Sequence, residues 1–326
     1  MRPGLKRVLL AAPRGFCAGV VRAIDVVDLA LECFGKPLYV RREIVHNRHV
    51  VSGFRERGVQ FVRELEEVPD GATVVFSAHG VSPEVRAEAA RRRLRVIDAT
   101  CPLVTKVHLE ALRFARAGFQ ILLIGHAGHE EVEGTTGQAA SRVTLVSTLA
   151  DAENVAVPDP ERVAYITQTT LSMEDTRPIV ETLRRRFPAI RGPAKDDICY
   201  ATQNRQLAVR TLATHVPVIL VVGSKNSSNS NRLVEEALLA GARAYLVDDV
   251  SEVDPRWLEG TDTVGVTSGA SAPDLLVDQI LSYLRSLGAS EVEEVQTVDE
   301  QVFFPLPAEL AQAKRSRDLL LPQVRS

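Results

Sequence analysis

Cys17, Cys101 and Cys199 are the residues of this 326-residue chain whose type and spacing most clearly suit shared chemistry. They stand 84 and 98 residues apart, and each comes directly before a stretch of helical periodicity about four turns long. No local cysteine pair is present to make a zinc knuckle or a ferredoxin loop, so only folding can gather the three thiolates at one centre. Helix starts carry partial positive charge, which favours thiolate over thiol and tolerates an anionic cofactor. The fourth cysteine, Cys33, follows Cys17 by 16 residues on the pattern Val20, Val21, Ile24, Val27, Leu31. That separation is about 24 Å of helix, too far for one centre, and makes Cys33 a packing thiol.

Two metal chemistries suit three widely spaced cysteines. Zinc with three cysteines and one histidine is one, although structural zinc sites usually draw on local knuckles. A [4Fe-4S] cluster is the other; three cysteine ligands leave one iron open to substrate.

The elements that must position these residues repeat with them. After Cys17 a helix is expected to about Phe34, then a strand from Pro37 to Val40, then "EIVHNRH" with His46. Cys101 is followed by a helix to about Ala117, the strand Gln120 to Ile124 and "GHAGHEEVEGTTGQ" with His129. Cys199 leads a helix to about Thr214, the strand Pro217 to Val222 and "GSKNSSNSNR" with Ser227. The offsets from cysteine to His46, His129 and Ser227 are 29, 28 and 28 residues, which points to duplication. In the second half of each segment, another strand ends in a small polar loop: "SAHGVSPE", "TQTTLSMED" or "TSGASAPD". Short apolar strands alternating with amphipathic helices give an α/β class, three similar domains with mainly parallel sheets. The expected units are 14–97, 98–195 and 196–288, with 1–13 either serving the first or completing the third, and a C-terminal tail at 289–326.

In open α/β sheets ligands bind beyond the carboxyl ends of the strands, where all the singled-out residues fall. "SKNSSNSN" is rich in donors and precedes a helix, which suits a phosphate at a helix N-terminus, though a plain turn or cap is the usual use of such serines. It lacks the Walker spacing. With His46 and His129 at the matching places, and His79, Thr169 and Ser271 in the second-half loops, a ring of neutral or titratable donors can hold a diphosphate without arginine. Glu130 and Glu131 beside His129 put a proton source next to that anion site, or else form an exposed acidic loop. His49, His108, His126 and His215 are expected to be structural.

Composition narrows the partners. With 39 basic and 42 acidic residues and a pI near 6.2, nothing draws the whole chain to nucleic acid or to anionic membrane. The first apolar run ends at Pro13, too short for a secretory core, and no stretch approaches the roughly 20 apolar residues of a membrane span. Four cysteines without a signal peptide suit a reducing cytoplasm. Arg91-Arg92-Arg93 and Arg184-Arg185-Arg186 read as solvated helix ends. The tail, with "VFFPLP", is expected to pack partly, with no chemistry assigned to it.

The segments "PRGFCAGVVRAI", "VHNRHVV", "FSAHGVS", "DATCPLVTKVH", "IGHAGHEEVEGTTGQ", "TQTTLS", "DDICYATQNRQ", "VVGSKNSSNSNRL" and "GVTSGASAPD" together resemble the 4-hydroxy-3-methylbut-2-enyl diphosphate reductase family of the non-mevalonate isoprenoid pathway. The resemblance runs in order from about residue 8 to 285. It implies three α/β domains around a central [4Fe-4S] cluster, with Cys17, Cys101 and Cys199 as ligands and one open iron site. It further implies that His46, His79, His129, Ser227, Ser228, Asn229 and Ser271 hold the diphosphate, that Glu131 supplies protons and that Thr169 positions the substrate hydroxyl. An external electron donor, ferredoxin or flavodoxin, is implied too. The chain departs from the family at Glu130, where His-Pro-Glu is usual; the extra carboxylate is expected to perturb Glu131. Two rival functions use the same residues: a non-redox dehydratase with an open iron, and a phosphate-binding protein with structural zinc.

Overall fold

A computed structural model describes residues 4–320. Three sheets, parallel at every pairing, form its frame. The first has strand order Val59–Val62, Leu38–Arg41, Thr73–Phe76, Arg95–Asp98. The second runs Val143–Val146, Gln120–Ile124, Val163–Thr167. In the third, Arg243–Val247 lies beside Val218–Val222, followed by Thr263–Ser268, Arg7–Ala12 and Glu291–Gln296.

The apolar runs explain why these strands sit inside. Val218–Val222 is buried along its whole length, as a parallel strand covered by helices on both faces must be. Successive side chains then feed opposite faces: Val218, Leu220 and Val222 join one apolar cluster, Ile219 and Val221 another. The same alternation sends Leu122 and Ile124 to one side of the second sheet and Ile121 and Leu123 to the other. Leu38 and Val40 separate from Tyr39 in the first sheet in the same way.

The strand before Cys17 pairs with the third sheet. Val8 stands in register with Val264 on one side and Val292 on the other. The tail is more ordered in its placement than the sequence suggested: Glu291–Gln296 is an edge strand, and the helix Ala308–Leu320 returns to the helix Ala18–Phe34. Leu310 is 1% exposed within the first sheet's apolar cluster, a burial that contributes about 2 kcal/mol.

Backbone bonds close the repeats into a ring. The Cys101 N–H donates to Ala78 O (3.0 Å), the Cys199 N–H to Thr169 O (2.9 Å) and the Cys17 N–H to Ala270 O (3.1 Å). Each acceptor lies in the second-half loop of the preceding repeat, and the last repeat hands back to the first.

Candidate active site

Each of the three cysteines is the N-cap of a helix: Cys17 for Ala18–Phe34, Cys101 for Pro102–Arg116, Cys199 for Tyr200–Ala213. All three line one cavity at the centre of the ring. Gly19 is required for their approach, since a Cβ there would stand 2.8 Å from Cys101 Sγ and 3.8 Å from Cys17 Sγ. Burial pushes Cys101 up to about 12 and Cys199 up to about 11, and the neighbouring thiols push further in the same direction. The helix-start N–H groups of Leu103, Val104 and Thr202 pull downward but do not prevail. Position at a helix start, expected to favour thiolate, is thus outweighed by desolvation.

That donor set fits a cationic metal group, because coordination deprotonates a thiol outright and removes the cost of the buried anion.

The opposite end of the cavity gathers the histidines. His46 and His79 stack at 4.0 Å between centroids, and His129 stands edge-on to both, at 5.4 and 5.9 Å. His129 caps the helix Glu130–Gly137, its Nδ1 accepting from the Glu131 N–H at 3.2 Å. Burial lowers His46, with His79 adding to the effect, and takes His129 down to about 3, with His79 and His46 adding to it. Both imidazoles are therefore neutral near pH 7. No lysine or arginine is among the described residues lining the cavity.

Glu131 is 2% exposed, and burial pushes it up to about 7 against the opposing pull of its bonds to Thr169. Its two oxygens accept from the Thr169 N–H (2.6 Å) and Oγ1–H (2.8 Å). Glu130 turns away from this pair and places Oε2 3.1 Å from His79 Nδ1. The extra carboxylate was expected to perturb Glu131, yet it engages a histidine instead. Consecutive residues at a helix start point in different directions, about 100° apart, which is why adjacency in sequence misleads here.

The serine loop is a helix cap. Ser227 Oγ accepts from the Ser230 N–H (3.3 Å) at the start of the helix Ser228–Leu239. Ser228 Oγ accepts from Thr170 Oγ1 (3.0 Å), and Asn229 Oδ1 accepts from the Ala270 N–H (2.9 Å). Asn229 lines the cavity and its Nδ2 is buried without a protein partner, a donor left for a ligand. Ser271 Oγ donates to His46 O (2.9 Å) and so ties the third repeat to the first.

The three cysteines thus line this one cavity together with His46, His79, His129, Glu131, Thr169, Ser227, Ser228, Asn229 and Ser271, whereas Glu130 does not. Cys33 lies outside the lining. His108 packs beside Gly80, whose φ is +79° and where a Cβ would stand 2.7 Å from the ring's Cε1, so no side chain is admitted. The cavity also takes Thr170, Tyr200 and Phe304, which the sequence did not flag. For Phe304 the aromatic pair ahead of proline in "VFFPLP" was the available signal. Its segment is held by Arg22 Nε donating to Pro305 O (2.8 Å) and by Glu300 on the buried Arg205 (2.9 Å). The basic runs are partly spent indoors: Arg92 donates to Leu65 O and Val68 O, Arg186 to Ala152 O and Val155 O.

Known proteins resemble this chain over most of its length. The family model described as LytB protein matches residues 8–285. A 4-hydroxy-3-methylbut-2-enyl diphosphate reductase of Aromatoleum aromaticum is 59% identical over 94% of this chain and 98% of its own length. The enzyme of the same name from Acidothermus cellulolyticus is 58% identical over 96% and 92%. The solved E-1-hydroxy-2-methyl-but-2-enyl-4-diphosphate reductase of Plasmodium falciparum superposes with a TM-score of 0.94 at 36% identity, covering 96% of this chain and 99% of that one. A second solved structure, described as (E)-4-hydroxy-3-methyl-but-2-enyl diphosphate reductase, terminal enzyme of the non-mevalonate pathway, gives 0.62 at 31% identity over 86% and 100%. Three parallel sheets, one shared cavity and a match that spans most of the sequence make this chain a member of the LytB protein family.

Proposed function

We propose that this chain reduces (E)-4-hydroxy-3-methylbut-2-enyl diphosphate to isopentenyl and dimethylallyl diphosphate, the last step of the non-mevalonate isoprenoid pathway. The observation that carries the reading is the single cavity with three thiols at one end, histidine and serine donors at the other, and a buried acid between segments of the same wall. The site residues have these duties. His46, His79 and His129, with Ser227, Ser228, Asn229 and Ser271, hold the diphosphate, which fixes the reacting carbon and turns binding into orientation. Cys17, Cys101 and Cys199 would hold one [4Fe-4S] cluster, which when bound supplies two electrons from an external donor such as ferredoxin or flavodoxin and offers its fourth iron as a Lewis acid.

Glu131 holds the proton. Near neutrality a carboxyl pushed up to about 7 is partly protonated, and Thr169 Oγ1 at 2.8 Å is the relay atom toward the substrate hydroxyl. The allylic C–O bond breaks, oxygen leaves as water with that proton, and a second proton adds to either end of the allyl fragment. Two electrons and two protons balance the loss of one water. Phe304 and the apolar wall of Val20, Val45 and Val104 exclude water from the hydrocarbon part. No described helix is long and apolar enough to cross a membrane, and a reducing cytoplasm suits the thiols.

The test is anaerobic. Protein is assayed for iron, acid-labile sulfide and zinc, then for oxidation of a reduced dye by the hydroxylated diphosphate. Iron with equimolar sulfide and substrate-dependent dye oxidation are expected. A colourless zinc protein would remove the cluster, and an intact cluster that turns substrate over without oxidising dye would make the chain a dehydratase.

A further inference from the structure

A loop that leaves a strand and turns into a helix start pairs its carbonyls with neither ladder nor helix, so it needs outside donors to hold one conformation. The three loops that deliver the cysteines find those donors in one repeating way. Arg22, five residues after Cys17, donates from Nη1 to Ala99 O and Thr100 O (both 3.0 Å), the two carbonyls ahead of Cys101. Lys106, five residues after Cys101, donates from Nζ to Lys195 O (2.5 Å), Asp196 O (2.9 Å) and Asp197 Oδ1 (2.9 Å), all just ahead of Cys199. Arg205, six residues after Cys199, donates from Nη2 to Gly15 O (2.9 Å) and Arg14 O (3.4 Å), just ahead of Cys17. Each basic side chain leaves the helix of one cysteine and holds the loop of the next. The circle runs in the same direction as the backbone bonds from the cysteine N–H groups to Ala78, Thr169 and Ala270. Every cysteine is therefore held twice from the preceding repeat, once by a loop carbonyl and once by a helix side chain.

We propose that Arg22, Lys106 and Arg205 are positioning residues, a cyclic clamp in which each fixes the thiol of the next repeat for the shared metal site. This rests on the reading of the three cysteines as one ligand set. Lysine and arginine on helices ordinarily run out to solvent. These three turn to main-chain oxygens instead, and Arg205 is 1% exposed. The direction of the coupling shows at Arg22, where burial lowers the guanidinium from its ordinary value and Cys101, followed by Asp98, opposes that. A lysine serves in one repeat and an arginine in the other two, so what the positions share is a long side chain ending in N–H donors rather than the flat shape of a guanidinium.

The experiment reads each cysteine separately. Full-length protein, purified without oxygen, is treated with a chelator to release bound metal and with iodoacetamide, and peptide mass spectrometry follows alkylation of all four cysteines. Arg22→Met is expected to speed Cys101 about fivefold over wild type, and Lys106→Met to speed Cys199 likewise, as for the loss of about one hydrogen bond; Cys33 keeps its rate. Arg22→Lys should return Cys101 to near the wild-type rate, since a lysine does the same work at Lys106. A merely structural role gives another pattern, in which the cysteine of the mutated helix itself, or all four together, react faster. Either pattern overturns the clamp. So does a wild-type rate at the next cysteine, or an Arg22→Lys chain that reacts like Arg22→Met. Iron and acid-labile sulfide are measured before the chelator is added. A chain that holds neither removes the metal reading, while the alkylation pattern still decides whether the clamp exists.

Discussion

At the sulfur end of the cavity the three repeats contribute the same part three times; at the anion end they contribute three different ones. Each cysteine caps a helix and donates its N–H to the second-half loop of the preceding repeat. The positions proposed to hold the anion carry His46, His129 and Ser227, and the second-half loops hold His79, Thr169 and Ser271. Under the proposed function the difference follows from the ligands. A cluster would ask every repeat for an equivalent thiolate. An asymmetric allylic diphosphate would ask for different donors at different places and for a proton at one of them, so the loops differ between repeats where the helix starts do not.

If the sulfur end is symmetric, breaking any one part should do equal damage. Cys17→Ser, Cys101→Ser and Cys199→Ser are each expected to lose the bound iron and to abolish turnover, while Cys33→Ser keeps both, as iron and sulfide analysis will read. A Cys101→Ser protein with full iron content would show that the three are not equivalent.

The anion end should break unevenly. Glu131→Gln is expected to retain iron and lose about 10²–10⁴-fold in turnover. Because burial raises Glu131 to about 7 from an ordinary 4.5, its acid form, and the rate it supports, decline as pH rises through about 7; the glutamine variant loses that limb. The stability sign follows from the same shift. A carboxyl raised on folding contributes stability that is full below about pH 4.5 and lost as pH rises through about 7, so Glu131→Gln should melt higher than wild type at pH 8. An unchanged pH–rate profile in the variant would remove Glu131 from proton transfer.

Smaller effects sharpen the contrast. Arg205, 1% exposed, donates to Gly15 O before Cys17 (2.9 Å), to Ala201 O after Cys199 (3.0 Å) and to Glu300 (2.9 Å). Glu300→Gln leaves the guanidinium buried without its anion and should cost about 3 kcal/mol in thermal or denaturant unfolding. A loss below about 1 kcal/mol would mean that the carbonyls alone suffice. Ser227→Ala removes a helix cap worth about 1 kcal/mol and, with it, one proposed diphosphate donor, so a modest stability loss should accompany a higher KM. Loss of stability with KM unmoved would leave Ser227 as a cap only.

Much of the symmetric part was legible in sequence, because a cysteine ahead of a helical pattern at a repeated offset is a local signal. The parallel sheets were legible for the same reason, in runs such as "VILVV". What escaped depends on distance along the chain. Nothing near Arg205 announces Glu300, some 95 residues on, and nothing near Cys17 marks Phe304 as part of the same wall. The direction of Glu130 escaped for another reason: two adjacent carboxylates look interchangeable in a string, and only the capped helix start separates their targets. The pairing of the strand Arg7–Ala12 was likewise open until its registers with Thr263–Ser268 and Glu291–Gln296 were seen.

That pairing also bears on how the molecule is made. The strand Arg7–Ala12 emerges during synthesis well before its partners, both of which are encoded more than about 250 residues later. Cys17 follows it closely, and the carbonyl that holds the Cys17 N–H belongs to Ala270. The first thiol of the set is therefore fixed last, and such long-range closure is slow. A nascent chain can present Cys101 and Cys199 in place before it can present all three, so the proposed metal site is completed only after the segment around Ala270 has been made.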